Sequence, residues 1–311
     1  MNIAFIFPGQ GSQSVGMMAE LYESHEIVRE TFGEASDALG IDLWSLVSNG
    51  PEELLNQTHN TQPAMLVSGA ACWRVWQERG GHHAAVMAGH SLGEYTALTC
   101  AGVLELSDAV KLVAERGRLM QQAVPEGTGA MAAILGLDDD AVRQVCVDSA
   151  NDQVLQAVNY NSPGQVVIAG NAEAIDRAVD MAKQAGAKRA LKLPVSVPSH
   201  CDLMRPAAEK LGQYMESVTF SDPVTPVIHN VTAQSVDSVD QIKQALVDQL
   251  FQPVLWVDTI KALAASGVTE MIEMGPGKVL TGLSKRIDRS INTLPVFDSG
   301  SLEKALDSTK G

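Results

Sequence analysis

Residues 84–94 read Ala84-Ala85-Val86-Met87-Ala88-Gly89-His90-Ser91-Leu92-Gly93-Glu94, and the fold is read outward from them. Five apolar residues with no polar alternation fit a short strand buried on both faces, as in a parallel sheet. Gly89 to Gly93 supplies the small residues of a sharp turn, and helical pattern resumes at Glu94. Strand, turn and helix in that order is the signature of an α/β fold. The chain opens in the same way: Ile3-Ala4-Phe5-Ile6-Phe7 is a continuous apolar run stopped by Pro8-Gly9. Polar and helical stretches follow to about residue 80. Ser107 suits an N-cap for a helix reaching about Ala123. Later strand candidates are Val224–His229 and Glu270–Met274, the second followed by Gly275-Pro276-Gly277 and a helix through about Ile287. Beyond Arg289 the tail is polar and carries no structural signal.

Residues 127–196 have a different rhythm. Ala130–Leu137 reads as a strand, and Asp138 can cap a helix with Val142, Val145, Cys146 and Ala150 on one face. Val154–Tyr160 is strand-like, Asn161-Ser162-Pro163-Gly164 turns the chain, and Gln165–Ala169 is strand-like again. Asn171 can cap a helix that places Ile175, Ala178, Val179 and Ala182 on one side. Lys188–Val195 closes the set as a strand. The order β-α-β-β-α-β is the ferredoxin-like split unit. The expected organisation is therefore a large α/β domain from residues 1–126 and 197–311, with residues 127–196 inserted as a ferredoxin-like subdomain.

Composition narrows the function. Twenty-two Lys and Arg oppose 37 Asp and Glu, a net charge of −15. A chain this acidic, without a Lys/Arg run, does not fit binding to nucleic acid or to an anionic membrane surface. Apolar residues at 45% and charged residues at 19% give it a core large enough to exclude disorder. Its length suits one large domain with a smaller companion. The cysteines at 72, 100, 146 and 201 are too widely spaced for a zinc cage or a disulfide framework and read as small buried hydrophobes. No basic leader precedes the first apolar run, and no stretch reaches the ~20 apolar residues of a membrane span. The expectation is a cytoplasmic protein with no metal.

Gly89-His90-Ser91-Leu92-Gly93 is a Gly-x-Ser-x-Gly sequence. A serine at a strained strand-to-helix turn holds its hydroxyl outward, and small neighbours let the chain turn without clash. The Leu92 N–H then points to where an oxyanion forms, at the positive end of a helix. The alternative is an ordinary glycine-rich turn. A nucleophilic serine needs a base. His200 stands in a loop where the chain leaves the small subdomain, a suitable position for a catalytic group, and His229 is its rival. His90 adjoins the serine, but the turn directs neighbouring side chains apart. Gly9-Gln10-Gly11 is an incomplete dinucleotide fingerprint, because Ser14 stands where the third glycine belongs. Such a loop can instead turn backbone N–H groups towards an anion. Gly275-Pro276-Gly277-Lys278 is not a P-loop, since Ile272 and Val279 break the pattern. Arg116 lies on the helix after the serine and matters only if that helix faces it.

These residues together resemble a known family. Phe7-Pro8-Gly9-Gln10-Gly11-Ser12-Gln13, Gly89-His90-Ser91-Leu92-Gly93-Glu94-Tyr95, Glu115-Arg116-Gly117 and Gly127-Thr128-Gly129-Ala130-Met131 are among its motifs. So are Asn161-Ser162-Pro163-Gly164-Gln165, Pro198-Ser199-His200 and Gly275-Pro276-Gly277-Lys278-Val279-Leu280. In this order, over about residues 3–287, the chain is similar to the malonyl-CoA:acyl carrier protein transacylases of bacterial fatty-acid synthesis. The resemblance implies an α/β-hydrolase-like large domain and an acyltransferase. Ser91 would attack the malonyl thioester, and His200 would take its proton and later activate the phosphopantetheine thiol of the acceptor. A backbone carbonyl near Gln249 would orient His200. The N–H groups of Gln10 and Leu92 would form the oxyanion hole, and Arg116 would bind the malonyl carboxylate. No cofactor is implied: malonyl-CoA is substrate, and phosphopantetheine is carried by the acyl carrier protein partner. The competing readings are a serine thioesterase or hydrolase, a transacylase for a branched extender such as methylmalonyl, which small Ser199 does not exclude, and a non-catalytic carrier-binding scaffold. Because carrier proteins are acidic too, docking would fall to local cations, either Lys183, Lys188, Arg189 and Lys192 or Lys278, Lys285, Arg286 and Arg289.

Overall fold

The computed structural model describes residues 2–125, 127–195 and 197–310. Among the described residues, nine strands form two sheets. β1 (Ile3–Phe7), β2 (Val86–Gly89), β7 (Val227–Ile228), β8 (Glu270–Met274) and β9 (Asn292–Val296) make a parallel sheet in the order β7-β2-β1-β8-β9. β1 and β8 are buried along their whole length. The reason is visible in β1: Ile3, Phe5 and Phe7 enter the core on one side, and Ala4 and Ile6 enter the core on the other. Helices Thr58–Glu78, Leu92–Cys100 and Leu106–Ala123 pack the first side. Trp256, Ile260 and Leu263, with Leu280 and Leu283, cover the second. An apolar run with no alternation is thus a strand with a helix layer on each face.

The second sheet is antiparallel. β3 (Gly129–Leu135), β4 (Leu155–Ser162), β5 (Gln165–Asn171) and β6 (Arg189–Lys192) lie in the order β4-β5-β3-β6. Helices Asp139–Ala150 and Ala172–Gln184 cover one face, packing Val142, Val145, Ile175 and Ala178 onto Ile134, Val166 and Ile168. This is the expected β-α-β-β-α-β order. The other face carries Met131, Val167 and Ala169 and packs against Cys201, the residue after His200. β4 is also joined through backbone to the segment just before helix Trp256–Ala265: Val254 N–H donates to Val158 O at 2.8 Å, and Tyr160 N–H to Val254 O at 3.0 Å. The expected chain boundaries of the insert fall on Glu126 and Ser196, which lie outside the described residues.

Several local expectations change. Asp138 caps its helix through Ala141 N–H; Asn171 stands at the N-cap of the next helix as expected, but its side chain makes no capping hydrogen bond. Its Oδ1 instead accepts from Val154 N–H at 2.9 Å, tying β5 to β4. The helix expected from Ser107 begins at Leu106, with Glu105 in the capping position. The strands expected over Val224–His229 and Lys188–Val195 shrink to two and four residues. The tail beyond Arg289 does carry structure: β9 completes the sheet edge, and helix Ser299–Thr309 buries Leu302, Ala305 and Leu306 against the core. Its pattern is short and interrupted by Pro295, which an edge strand tolerates. Among the described residues, no helix is long and apolar enough to cross a membrane.

The parallel sheet brings the carboxyl ends of β1, β2 and β8 to one rim, where open α/β sheets carry their sites. The turn after β2 is pressed onto the end of β1. His90 N–H donates to Phe7 O at 3.0 Å, and a Cβ on Gly93 would lie 2.0 Å from Phe7 O. Gly93→Ala is therefore expected to cost about 2 kcal/mol or more of stability, the scale of forced overpacking. Gly282, helical and exposed with open space around its Cα, should gain about 0.5–1 kcal/mol as alanine. Urea unfolding midpoints of the two variants check the contrast, which is opposite in sign.

Candidate active site

Ser91 follows β2 with φ 51° and ψ −108°, a left-handed backbone conformation that a non-glycine residue adopts only under constraint. The constraint is visible. Asn230, fully buried, accepts from Ser91 N–H at 2.7 Å and donates to Gly89 O at 2.6 Å, clamping both sides of the turn. The Gln249 side chain donates to Ser91 O at 2.9 Å. The helix that begins at Leu92 then runs away beneath the serine.

His200 lies on the chain that packs under the small sheet, and its Nε2 sits 2.8 Å from Ser91 Oγ. Its Nδ1 is 2.6 Å from the backbone oxygen of Gln249. A carbonyl can only accept, so Nδ1 carries the proton and Nε2 is left with its lone pair towards the serine. Burial pushes the His200 pKa down to about 3. The nearby Arg116 charge adds to this, the Gln249 carbonyl opposes it, and His90 contributes a smaller depression. The ring is therefore neutral at physiological pH and able to take the serine proton. The acid that completes many serine triads is replaced by a carbonyl.

Arg116 is 1% exposed and does face the serine, with Nη2 at 3.4 Å from Ser91 Oγ. Nη2 donates to Gln249 Oε1 at 2.9 Å and Nη1 to Gln62 Oε1 at 2.8 Å. Gly117 makes this possible: a Cβ there would lie 2.6 Å from His59 Cα, so only glycine lets the arginine helix close onto the helix that carries Gln62. Arg116 has no carboxylate partner among the described residues, and its Nε–H is buried without an acceptor. Burial alone acts to lower its pKa, yet a guanidinium stays protonated in proteins. The site thus contains an unpaired, buried positive charge beside a nucleophile.

The Gly9-Gln10-Gly11 loop follows β1, next to the serine turn, and Gln13 Oε1 braces it by accepting from Gly11 N–H at 2.7 Å. The N–H groups of Gln10 and Leu92 have no acceptor among the described residues. The rival base, His229, is buried with Nδ1 2.7 Å from Glu94 Oε1 and belongs to a different layer of the site. His90 points away from the serine, as expected, to Asn161 Oδ1 on β4 at 2.7 Å. Sequence reading missed Asn230, Gln62 and the side chain of Gln249. All are single polar residues with no spacing signal, and only folding brings them to the rim. Among the described residues, no group of three or more His, Cys, Asp or Glu side chains is arranged to hold a metal.

A Ser–His pair, two backbone N–H groups without an acceptor among the described residues and a buried cation are chemically suited to attack on an acyl group. A family model for the acyl transferase domain matches residues 4–298. The chain is 56% identical to the malonyl CoA-acyl carrier protein transacylase of Salmonella typhimurium, over 98% of this chain and 99% of the relative. Identity to the protein of that name from Bacillus subtilis is 46%, over 99% and 98%. Among solved structures, the malonyl CoA-acyl carrier protein transacylase of Coxiella burnetii superposes with a TM-score of 0.99 at 49% identity, covering 100% of this chain and 98% of that one. A malonyl-transacylase in complex with its type II PKS acyl-carrier protein superposes with a TM-score of 0.98 at 53% identity, covering 99% and 100%. The chain belongs to the acyl transferase domain family and is an acyltransferase.

Proposed function

We propose that this protein moves a malonyl group from malonyl-CoA to the phosphopantetheine thiol of acyl carrier protein, through a malonyl ester on Ser91. The observation that carries the reading is the buried Arg116 guanidinium, without a carboxylate of its own, 3.4 Å from Ser91 Oγ. A charge held in this way is costly until an anion joins it, and a planar guanidinium suits an acyl carboxylate. His200 Nε2 takes the Ser91 proton as Oγ attacks the thioester carbonyl. The oxyanion is received by Gln10 and Leu92 N–H, each donor worth about 3 kcal/mol of barrier. Collapse expels the CoA thiol, which takes the proton back from His200. In the second half the neutral His200 deprotonates the phosphopantetheine thiol, which attacks the Ser91 ester and leaves Ser91 protonated. The names of the relatives support the substrate and the acceptor.

For the acidic carrier the free cations matter most. Lys183 and Lys192 are paired with Asp180 and Asp176. Lys188, Arg189, Lys278, Lys285 and Arg289 carry no ion pair among the described residues, and Arg286 donates to the neutral Gln165. Of the two clusters, the one formed by Lys278, Lys285, Arg286 and Arg289 has no ion pair among the described residues and makes the stronger candidate for docking.

Arg116 also acts on the base. Its charge is one cause of the low His200 pKa, so a malonyl carboxylate that pairs with Arg116 lets the His200 pKa rise. The correct acyl group thereby strengthens the base that acts on it. Two outcomes are expected. Across a panel of CoA thioesters, Arg116→Ala should lose roughly 100-fold in kcat/KM for malonyl-CoA, the scale of a buried charged pair, while acetyl-CoA transfer rises or holds. Equal losses across the panel contradict the assignment. In pH profiles, kcat/KM for acetyl-CoA should show no inflection near pH 6.5, because free His200 is neutral down to about pH 3. The acid limb of kcat for malonyl-CoA should lie at higher pH than its kcat/KM limb, a gap absent with acetyl-CoA. Stability moves the other way: the unfolded chain protonates this histidine below about pH 6.5. Its contribution to stability therefore falls as pH drops from there towards 3.

A further inference from the structure

Beneath the reacting groups lies a second polar layer that the reaction does not touch. Glu94 is fully buried, on the helix that starts at Leu92. Its Oε1 lies 2.7 Å from His229 Nδ1. Its Oε2 accepts from Asn230 N–H at 3.0 Å and from Gln249 Nε2 at 2.8 Å. Those two partners are the groups that hold the site. Asn230 clamps the serine turn. Gln249 gives its backbone oxygen to His200 and its side-chain oxygen to Arg116.

The chemistry of the Gln249 amide is decisive. Its two ends differ only in that one donates and one accepts. An ionised carboxylate accepts only, and a guanidinium donates only. With Glu94 on one side and Arg116 on the other, just one orientation satisfies both: nitrogen to Glu94, oxygen to Arg116. The Ser91 carbonyl also accepts from Gln249 Nε2, at 2.9 Å, and favours the same orientation; a neutral amide at position 94 would leave that carbonyl as the one acceptor-only partner on the nitrogen side. Burial lowers the Arg116 pKa, and Tyr95 first and Glu94 after it oppose that effect.

We propose that Glu94, braced by His229, is a positioning residue: it fixes the Gln249 amide and through it the Arg116 guanidinium, and so sets the preference for acyl groups that carry a carboxylate. This rests on the assignment of Arg116 to the acyl carboxylate. The test is the ratio of kcat/KM for malonyl-CoA to that for acetyl-CoA, measured on the wild type, Glu94→Gln, Glu94→Asp and the exchange Glu94→Gln with Gln249→Glu. The wild type should prefer malonyl-CoA. Glu94→Gln should lower the ratio by about 10-fold or more, the scale of one charged hydrogen bond, chiefly through a higher KM for malonyl-CoA. Glu94→Asp, which keeps the carboxylate, should recover most of the loss. The exchange seats a permanent carboxylate on Arg116 and should lower the ratio further. It carries the test if Glu94→Gln does not fold. A ratio within twofold of wild type in Glu94→Gln, or in the exchange if only that folds, overturns the proposal, because a merely structural role slows both substrates alike. A wild type without malonyl preference overturns the assignment of Arg116 itself, a separate failure.

Discussion

Ser91 is held in a backbone conformation that it would not adopt alone, and the architecture follows from what holds it there. A non-glycine residue in such a region costs about 1–3 kcal/mol. It persists because the turn is fixed at three points: Gly93 against the end of β1, Asn230 across the turn, and Gln249 on the serine carbonyl. Each brace comes from a different part of the chain. The parallel sheet brings them together, because its strands end at one rim. The turn carries function only when the sheet, the loop after β7 and the helix ending at Gln249 are all in place.

The small sheet takes part in the same arrangement. Its open face seats Cys201, β4 is bonded to Val254, and Gln156 receives the Asp202 N–H at 2.7 Å. These contacts fix the loop on which His200 stands, while the Gln249 carbonyl fixes the ring. Neutrality of that ring comes from burial and from the neighbouring arginine. A carbonyl orients it without adding the negative charge that would raise its pKa. The cation beside the serine is therefore the Arg116 guanidinium, 3.4 Å from Ser91 Oγ.

Much of the fold was legible because its signals are local. Unbroken apolar runs marked β1 and β2, and the alternation of strands and helices between residues 127 and 196 marked the second sheet. Ser91, with its flanking glycines, is a contiguous motif and could be read with its geometry. The base could not be settled from spacing, which leaves His200 open as either a catalytic or a structural histidine, with His229 as a rival. Their partners separate them: a carbonyl and a serine for one, a buried glutamate for the other. Asn230, Gln62 and the side chain of Gln249 act through contacts 54 to 158 residues away in sequence, which no local pattern records. The strand beyond Arg289 was hidden by its polar edge and by Pro295.

The net charge of −15 describes the average surface, whereas the site and its surroundings depart from it. A buried arginine and several unpaired surface cations are what an acyl anion and an acidic carrier would meet. The central claim is that a malonyl group passes through Ser91, and mass spectrometry measures this directly. Malonyl-CoA alone should leave one malonyl adduct on the peptide that contains Ser91. Added phosphopantetheinylated carrier protein should discharge it, with malonyl appearing on the carrier thiol. No adduct on that peptide, or discharge as free malonate while acceptor is present, would contradict the account.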